Sequence, residues 1–307
     1  MKRSDFEFLY EIGEGSFSTV HRTRERATGR EFAVKVCCKK ILIRERKVQN
    51  IYREKEALIR LSCAVDRHPF IVQLFCTFQD TDSLYIVMTL AEGGDLLKLL
   101  KKSGGKFNLA TARFYSGEIV SALEYMHARK IVHRDLKPEN VLISGTGHIL
   151  VSDFGSAKIL DQPVPTEIAQ LTEGRKRRCS FVGTAQFVSP EVLNGEPVQQ
   201  ACDYWALGAV IYQLLTGKHA FHDESEYLIY RRVLRLLYKF PDDFPKVAKD
   251  IVKKLLVFKA EDRLGSVELG GADGVKKHPF FDGVHWDSIT QTEPPLLSIP
   301  QTMEASS

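Results

Sequence analysis

The chain has 307 residues, 44% apolar and 27% charged, enough for two ordinary domains or one enzyme of two lobes, and this balance excludes a fibrous or fully disordered chain. Lys and Arg number 43 against 39 Asp and Glu, and the formal charge of +4 is too mild to call for nucleic acid or a membrane surface. No apolar run reaches the roughly eighteen residues of a spanning helix, the longest being Trp205 to Leu215, and Met1-Lys2-Arg3-Ser4-Asp5 leads into no apolar stretch, so an intracellular protein is expected.

In chain order, Gly13-Glu14-Gly15-Ser16-Phe17-Ser18-Thr19-Val20 predicts a turn of small residues between two strands. Phe32, Val34 and Val36 alternate with Ala33, Lys35 and Cys37, predicting a strand, and Leu84 to Met88 predicts another. Between them Lys47 to Leu61 fits one helix with Val48, Ile51, Leu58 and Leu61 on one face. Helical spacing dominates from Asp95 onward: Tyr115, Ile119, Leu123 and Met126, then Asp203 to Leu215 and Ala248 to Phe258. The expected architecture is therefore α+β, with a small β lobe over 1–88, a joint over 89–94, a larger helical lobe over 95–285 and a tail over 286–307 whose composition turns Pro-, Ser- and Thr-rich near Gln291. The six cysteines form no C-x-x-C pair and have no His at zinc spacing, so reduced thiols are expected rather than a metal knuckle or a disulfide framework.

Glycines in the 13–20 turn let backbone N–H groups approach phosphates, although any tight hairpin would look the same. Lys35 shares a strand face with Ala33, and Glu54 falls on the inward face of its helix, so the two are expected to pair. The most specific pattern is His133-Arg134-Asp135-Leu136-Lys137-Pro138-Glu139-Asn140 followed by Asp153-Phe154-Gly155. Val141-Leu142-Ile143, the turn Ser144 to Gly147 and Ile149-Leu150-Val151 between them predict a hairpin that brings Asn140 and Asp153 together as oxygen ligands for Mg²⁺ on a nucleotide. Asp135 stands on a loop, free to accept a hydroxyl proton, and the ordered set specifies phosphoryl transfer.

Over roughly residues 6 to 285 these motifs resemble the eukaryotic protein kinases and imply their two-lobed fold, a small antiparallel β lobe with one key helix over a larger α-helical lobe. The resemblance implies ATP and Mg²⁺ as cofactors. It makes Asp135 the base, Lys137 the partner of the γ phosphate and Lys35, oriented by Glu54, the partner of the α and β phosphates. The nucleotide would meet Gly13, Glu14, Gly15, Ser16, Phe17, Ser18, Val20, Ala33, Met88 as gatekeeper, the hinge residues Thr89 and Ala91, Asp95, Glu139, Asn140 and Asp153. Glu191 is expected to pair with Arg263, and Asp203 and Trp205 to anchor the catalytic loop.

Arg263-Leu264-Gly265 and His278-Pro279-Phe280-Phe281 resemble the AGC group of Ser/Thr kinases, and Ser180 to Glu191 with Glu226-Tyr227-Leu228-Ile229 resemble its 3-phosphoinositide-dependent protein kinase family. No Phe-x-x-Phe-Ser/Thr-Phe/Tyr motif follows Trp286, which implies a vacant small-lobe groove. By the same resemblance this groove, at Lys39, Ile43, Val48, Ile51, Lys55, Thr77, Gln79 and Leu84, captures phosphorylated hydrophobic tails of other AGC kinases. Glu7 stands where the family has a Lys, and Ser18 replaces the third Gly of the phosphate loop, as it does in that family. Ser180 is the implied activating phosphorylation site, its phosphate gathered by Arg134, Lys158 and Arg53, and Arg175-Lys176-Arg177-Arg178 before it also suits a basophilic kinase. The long insertion from Asp161 to Gly174 is expected to be a mobile loop. Partners are then protein substrates, with no nucleic acid and no membrane-binding domain in the chain, and the expected location is cytoplasmic, with nuclear entry or plasma-membrane recruitment as further options. The competing readings are a basophilic AGC kinase without tail docking and a pseudokinase scaffold.

Overall fold

The computed structural model describes residues 1–15, 17–62, 67–161 and 185–295. Ser16, Cys63, the greater part of the 161–174 insertion, the basic run before Ser180, Ser180 itself and the end of the tail lie outside the described residues.

Strands β1 (Phe6–Gly15), β2 (Ser18–Glu25), β3 (Glu31–Cys38), β4 (Leu74–Gln79) and β5 (Ser83–Met88) form one antiparallel sheet in the order β1-β2-β3-β5-β4. The expected alternation in β3 gives way to burial on both faces. Ala33, Lys35 and Cys37 face the cleft side, while Phe32 and Val34 join Phe6, Tyr85 and Val87 in a second apolar cluster that the sheet closes over itself. Phe78 stacks on both Phe6 and Tyr85, which seals that outer face without a covering helix.

Two helices follow β3 where one was expected. Helix α1 (Lys39–Arg44) is short and carries one buried anchor, Leu42, too little periodicity to be read from sequence. Helix α2 (Val48–Ser62) matches the apolar face read above, with Ile51, Ala57, Leu58 and Leu61 buried. The chain then passes from β5 through residues 89–95 into the helical lobe.

That lobe contains α3 (Leu96–Lys102), α4 (Leu109–Ala128), α5 (Pro190–Asn194), α6 (Ala201–Thr216), α7 (Glu226–Leu234), α8 (Lys246–Leu255) and α9 (Gly271–Lys276). Side-chain carboxylate and amide caps start α3 and α4: Asp95 accepts from Lys98 N and Asn108 from Thr111 N, each relieving an unpaired helix-end donor. Helix α6 is buried from Ala201 to Leu215 and forms the centre of the lobe. Gly208 lets it approach α8, because a Cβ there would stand 2.8 Å from Leu255 Cβ. Four short strands sit against this base: β6 (Ile131–Val132) pairs with β9 (Lys158–Ile159), and β7 (Val141–Ile143) with β8 (Ile149–Val151).

The tail expected from 286 is packed at its beginning: Trp286–Gln291 forms a 3-10 helix and Ile289 is buried against Gly117 of α4. A buried ion pair ties the lower lobe together. Arg263 donates from Nη1 and Nη2 to both oxygens of Glu191, at 2.7 and 2.9 Å, and also bonds the carbonyls of Ala201 and Val257. Its guanidinium lies 5.2 Å from the Trp205 ring, which itself stacks on Phe221. While Asp203 supplies the hydrogen bonds from α6 to the catalytic loop, Trp205 faces this ion pair. Its direction follows from helix geometry: two residues on from Asp203, it points to another side of α6. Because removing one member strands the other charge in the core, Arg263→Ala should lower unfolding stability by about 3–5 kcal/mol, read as a lower urea midpoint at unchanged slope.

Candidate active site

The loop after β6 is built around one carboxylate of α6. Asp203, fully buried, accepts hydrogen bonds from the backbone N–H of His133 at 2.9 Å, from that of Arg134 at 2.8 Å and from His127 Nε2 at 2.8 Å. Burial by itself would push its pKa up, but the His127 bond, neighbouring His charge and backbone donors outweigh it and hold the carboxyl below its ordinary value. Arg134 adopts a left-handed φ of 66°, a conformation that costs about 1 kcal/mol or more in a non-Gly residue and persists because Asp203 fixes its N–H.

His133 then orients the next residues. Its Nδ1 accepts from Asp135 N and its Nε2 donates to Ser152 O at 2.9 Å, which fixes the tautomer. Asp135 Oδ2 receives Lys137 Nζ at 3.1 Å and Asn140 Nδ2 at 3.0 Å. Asn140 also donates to Asp135 O at 2.7 Å, and its own carbonyl accepts from Ser152 N. The hairpin read from sequence is present, with Val141 opposite Val151, and it sets Asn140 beside the strand that leads to Asp153. Asp153 sits at φ 62°, which turns its carboxylate back toward Gly155 N and to 3.9 Å from Lys35 Nζ.

From the small lobe, Lys35 on β3 donates to both oxygens of Glu54 on α2, at 2.7 and 2.8 Å, so the expected pair forms. Burial disfavours the ammonium, but the charges of Glu54 and then Asp153 outweigh it and hold Lys35 protonated above its ordinary value. Asp153 is held below its usual range: partial desolvation opposes this, and the Lys35 charge, helped by the Gly155 N–H, supplies the attraction that wins. Asp135 moves the other way, since burial pushes it up more than Lys137 pulls it down. The two carboxylates are thereby pushed in opposite directions, Asp153 below and Asp135 above the ordinary value.

Val20 pairs with Lys35, and Ala33 with Met88, across adjacent strands of the sheet. Gly13, Glu14 and Gly15 end β1, Ser18 opens β2 as a buried residue, and Phe17 packs on the main core. Thr89 exchanges backbone and side-chain hydrogen bonds with Gln73, which pins the joint, and Ala91 follows it half-buried. Asp95 caps α3 and pairs with Lys98, and Glu139 keeps one buried oxygen without a hydrogen-bond partner. The donor set fits a nucleotide-bound cation. Asn140 Nδ2 is committed to Asp135, which leaves its oxygen as ligand, and the Asp153 side chain is 48% exposed. Among the described residues no cluster of three His, Cys, Asp or Glu suits a metal alone, as expected where phosphates and water complete the shell.

A family profile of the protein kinase domain matches residues 6–281. The chain belongs to the protein kinase family. Human 3-phosphoinositide-dependent protein kinase 1 is 46% identical over 295 residues, 96% of this chain and 50% of that protein. Human putative 3-phosphoinositide-dependent protein kinase 2 is 45% identical over 96% of this chain and 70% of its own length, and the Arabidopsis thaliana kinase 1 is 40% identical over 98% and 60%. The chain spans about half the length of the first of these relatives. These similarities place it with the Ser/Thr protein kinases of the 3-phosphoinositide-dependent type, and protein kinases as a family use ATP and Mg²⁺.

The remaining kinase residues are distributed as follows. Arg134 donates to the carbonyls of Ser156 and Ala157. Burial lowers its pKa, with the nearby Arg53 charge adding to the effect, and Lys158 donates to Val198 O. Of the residues expected to line a groove, Ile43 stands 69% exposed on α1, Lys55 is exposed on α2, and Val48 and Leu84 pack half-buried on the core. Thr77 and Gln79 lie on β4, Gln79 opposite Leu84. Ile51 is only 5% exposed, a floor residue rather than a contact surface, because α2 turns it inward with Leu58. Lys39 Nζ is bonded to Asp80 O, which ties it to the β4–β5 turn.

Two supports escaped the sequence reading. His127 completes the Asp203 cluster, and Glu118, fully buried on α4, accepts from His148 Nδ1 at 2.5 Å and from Ile149 N at 3.0 Å to hold the hairpin. A Glu at an inward helical position was the available signal. Since the base must be ionised to accept a proton, phosphoryl transfer should fall as pH drops through an Asp135 pKa above the ordinary carboxylate value. Lys137→Ala, which removes the opposing cation, should move that acid limb of the kcat/KM profile to higher pH.

Proposed function

We propose that this kinase transfers the γ-phosphoryl group of Mg-ATP to Ser or Thr hydroxyls in the activation loops of other AGC-group kinases, capturing their phosphorylated hydrophobic tails in its small-lobe groove. The observation that carries the chemistry is the convergence of Lys137 and Asn140 on one oxygen of Asp135 beside Asp153. In this arrangement Lys137 and Asn140 occupy Oδ2 of Asp135, and its other oxygen accepts the proton of the acceptor hydroxyl. Lys137, 3.1 Å from Oδ2, balances the charge gathering between base and phosphate. Lys35, aligned by Glu54, binds the α and β phosphates, and Asn140 and Asp153 would hold Mg²⁺, which would supply positive charge to the phosphates.

The tail-docking part of the reading rests on the exposed Ile43, the half-buried Val48 and Leu84 and the exposed Lys55 on one side of the small lobe. That set suits an apolar pair of side chains flanked by an anion. Likeness to the named 3-phosphoinositide-dependent kinases supports the choice of substrate class.

The test uses two peptides, an AGC activation loop alone and the same loop fused to a phosphorylated hydrophobic tail. The parent chain should phosphorylate both, the fused peptide at least about tenfold faster at low concentration. Leu84→Glu or Lys55→Ala should remove only that advantage, and Asp153→Ala should abolish both activities. Equal rates for the two peptides would defeat the docking part, and no transfer above the Asp153→Ala background would favour a scaffold.

A further inference from the structure

The joint between the lobes carries an ion pair whose two members, Arg22 and Glu92, stand outside the nucleotide set described above. Strand β5 ends at Met88, and by Gly93 and Gly94 the chain is already fixed to the large lobe: Gly93 N donates to Ile143 O at 2.9 Å and Ile143 N to Gly94 O at 2.8 Å. Residues 89–92 are therefore the stretch about which the two lobes turn. Glu92 closes that stretch on the large-lobe side. Its Oε2 lies against the hairpin turn, where a Cβ at Gly145 would overlap it, and its Oε1 stands 3.6 Å from Arg22 Nη2 of the small lobe.

Arg22 is held ready for this contact. It stands opposite Ala33 across β2 and β3, so its side chain shares the cleft-facing side of the sheet with Ala33 and Lys35. Its Nε donates to Glu31 Oε2 at 2.8 Å, Nη2 is bonded to the same oxygen, and Nη1 donates to Tyr10 Oη at 3.0 Å. Arg24 Nη2 also donates to Glu31, at 3.1 Å, so two guanidinium groups of the small lobe share one carboxylate. Glu92 brings a second carboxylate from across the joint.

We infer that Arg22 and Glu92 are positioning residues for the kinase reaction, a latch that draws the small lobe onto the joint when the cleft closes on a nucleotide and so slows nucleotide release. The inference rests on the reading that the cleft binds a nucleotide, and it concerns how long that nucleotide stays. The sign follows from the geometry. Opening the lobes carries the cleft face of the small-lobe sheet away from the large lobe, so the distance from Arg22 to Glu92 grows on opening and falls on closing. At 3.6 Å it is longer than a hydrogen bond, and a small closing rotation decides whether a charge-assisted one is made. With the side chains 24% and 48% exposed, solvent screening keeps the pair weak enough to yield in each turnover.

The experiment follows release of the fluorescent nucleotide mant-ADP with Mg²⁺ from the full chain by stopped flow, beside KM for ATP and kcat on an AGC activation-loop peptide. Glu92→Gln and Arg22→Gln should each speed release and raise KM for ATP about threefold, the scale of a half-exposed ion pair, without lowering kcat. The double variant should match the single ones, because either change already opens the latch. Salt at about 0.5 M should shrink the difference between the parent and Glu92→Gln. Because Arg22 also holds Glu31, Glu92→Gln, which leaves the bonds within the sheet in place, is the deciding variant. An unchanged release rate in Glu92→Gln would overturn the latch. So would increases that multiply in the double variant, which would show the two residues acting separately, or a fall in kcat at unchanged KM, the mark of a merely structural disturbance. A parent chain that binds no mant-ADP would overturn the nucleotide reading itself, and the latch with it.

Discussion

The buried carboxylate of Asp203 is the constraint on which the catalytic geometry depends. An ionised group with no exposure can persist only if its lone pairs are occupied, and here three donors from two different segments occupy them. Two of these donors are the consecutive backbone N–H groups of His133 and Arg134, so the charge that must be satisfied also dictates the path of the loop. From there the order passes outward through His133 to Asp135 and Ser152, and through Asn140 to both Asp135 and the hairpin. Asp135 is positioned by satisfying an anion two steps removed from it.

The two lobes meet the same problem in different ways. In the lower lobe Glu191 and Arg263 neutralise each other completely, with carbonyls and an aromatic face taking up the remaining guanidinium donors, and the result is static. In the upper lobe Lys35 binds both oxygens of Glu54 yet also feels Asp153 at 3.9 Å, so one cation is shared between a helix of the small lobe and a loop of the large one. A phosphate entering between Lys35 and Asp153 would find a cation already desolvated and oriented, which is the preorganisation that phosphoryl transfer requires.

Much of the site was readable because its residues are contiguous or set at fixed spacing. His133 to Asn140 and Asp153 to Gly155 lie on either side of a hairpin whose turn and alternation are local signals, and Glu54 could be placed inward from Ile51 and Leu58 alone. Other features were less legible. Helix α1 is too short to carry a period, the direction of Trp205 could not be read because its helix is buried on every side, and Ile51, expected in a groove, is buried. A helix apolar all round offers no stripe from which direction can be read.

By itself the sequence determined the class of chemistry, the two-lobed order of strands before helices and the pairing of Lys35 with Glu54, since these follow from motif spacing, periodicity and the need of a buried charge for a partner, while the pairing of Glu191 with Arg263 came from the family resemblance. Only the tertiary structure decided that Asp203 gathers His127, His133 and Arg134, that Glu118 holds the hairpin through His148, and that Arg134 is held by the carbonyls of Ser156 and Ala157. The physical reason is range. Periodicity reports which face of an element is buried, whereas the partner of a buried polar group is set by which distant segment packs against that face, and the sequence separation of 76 residues between His127 and Asp203 carries no local trace of their 2.8 Å contact.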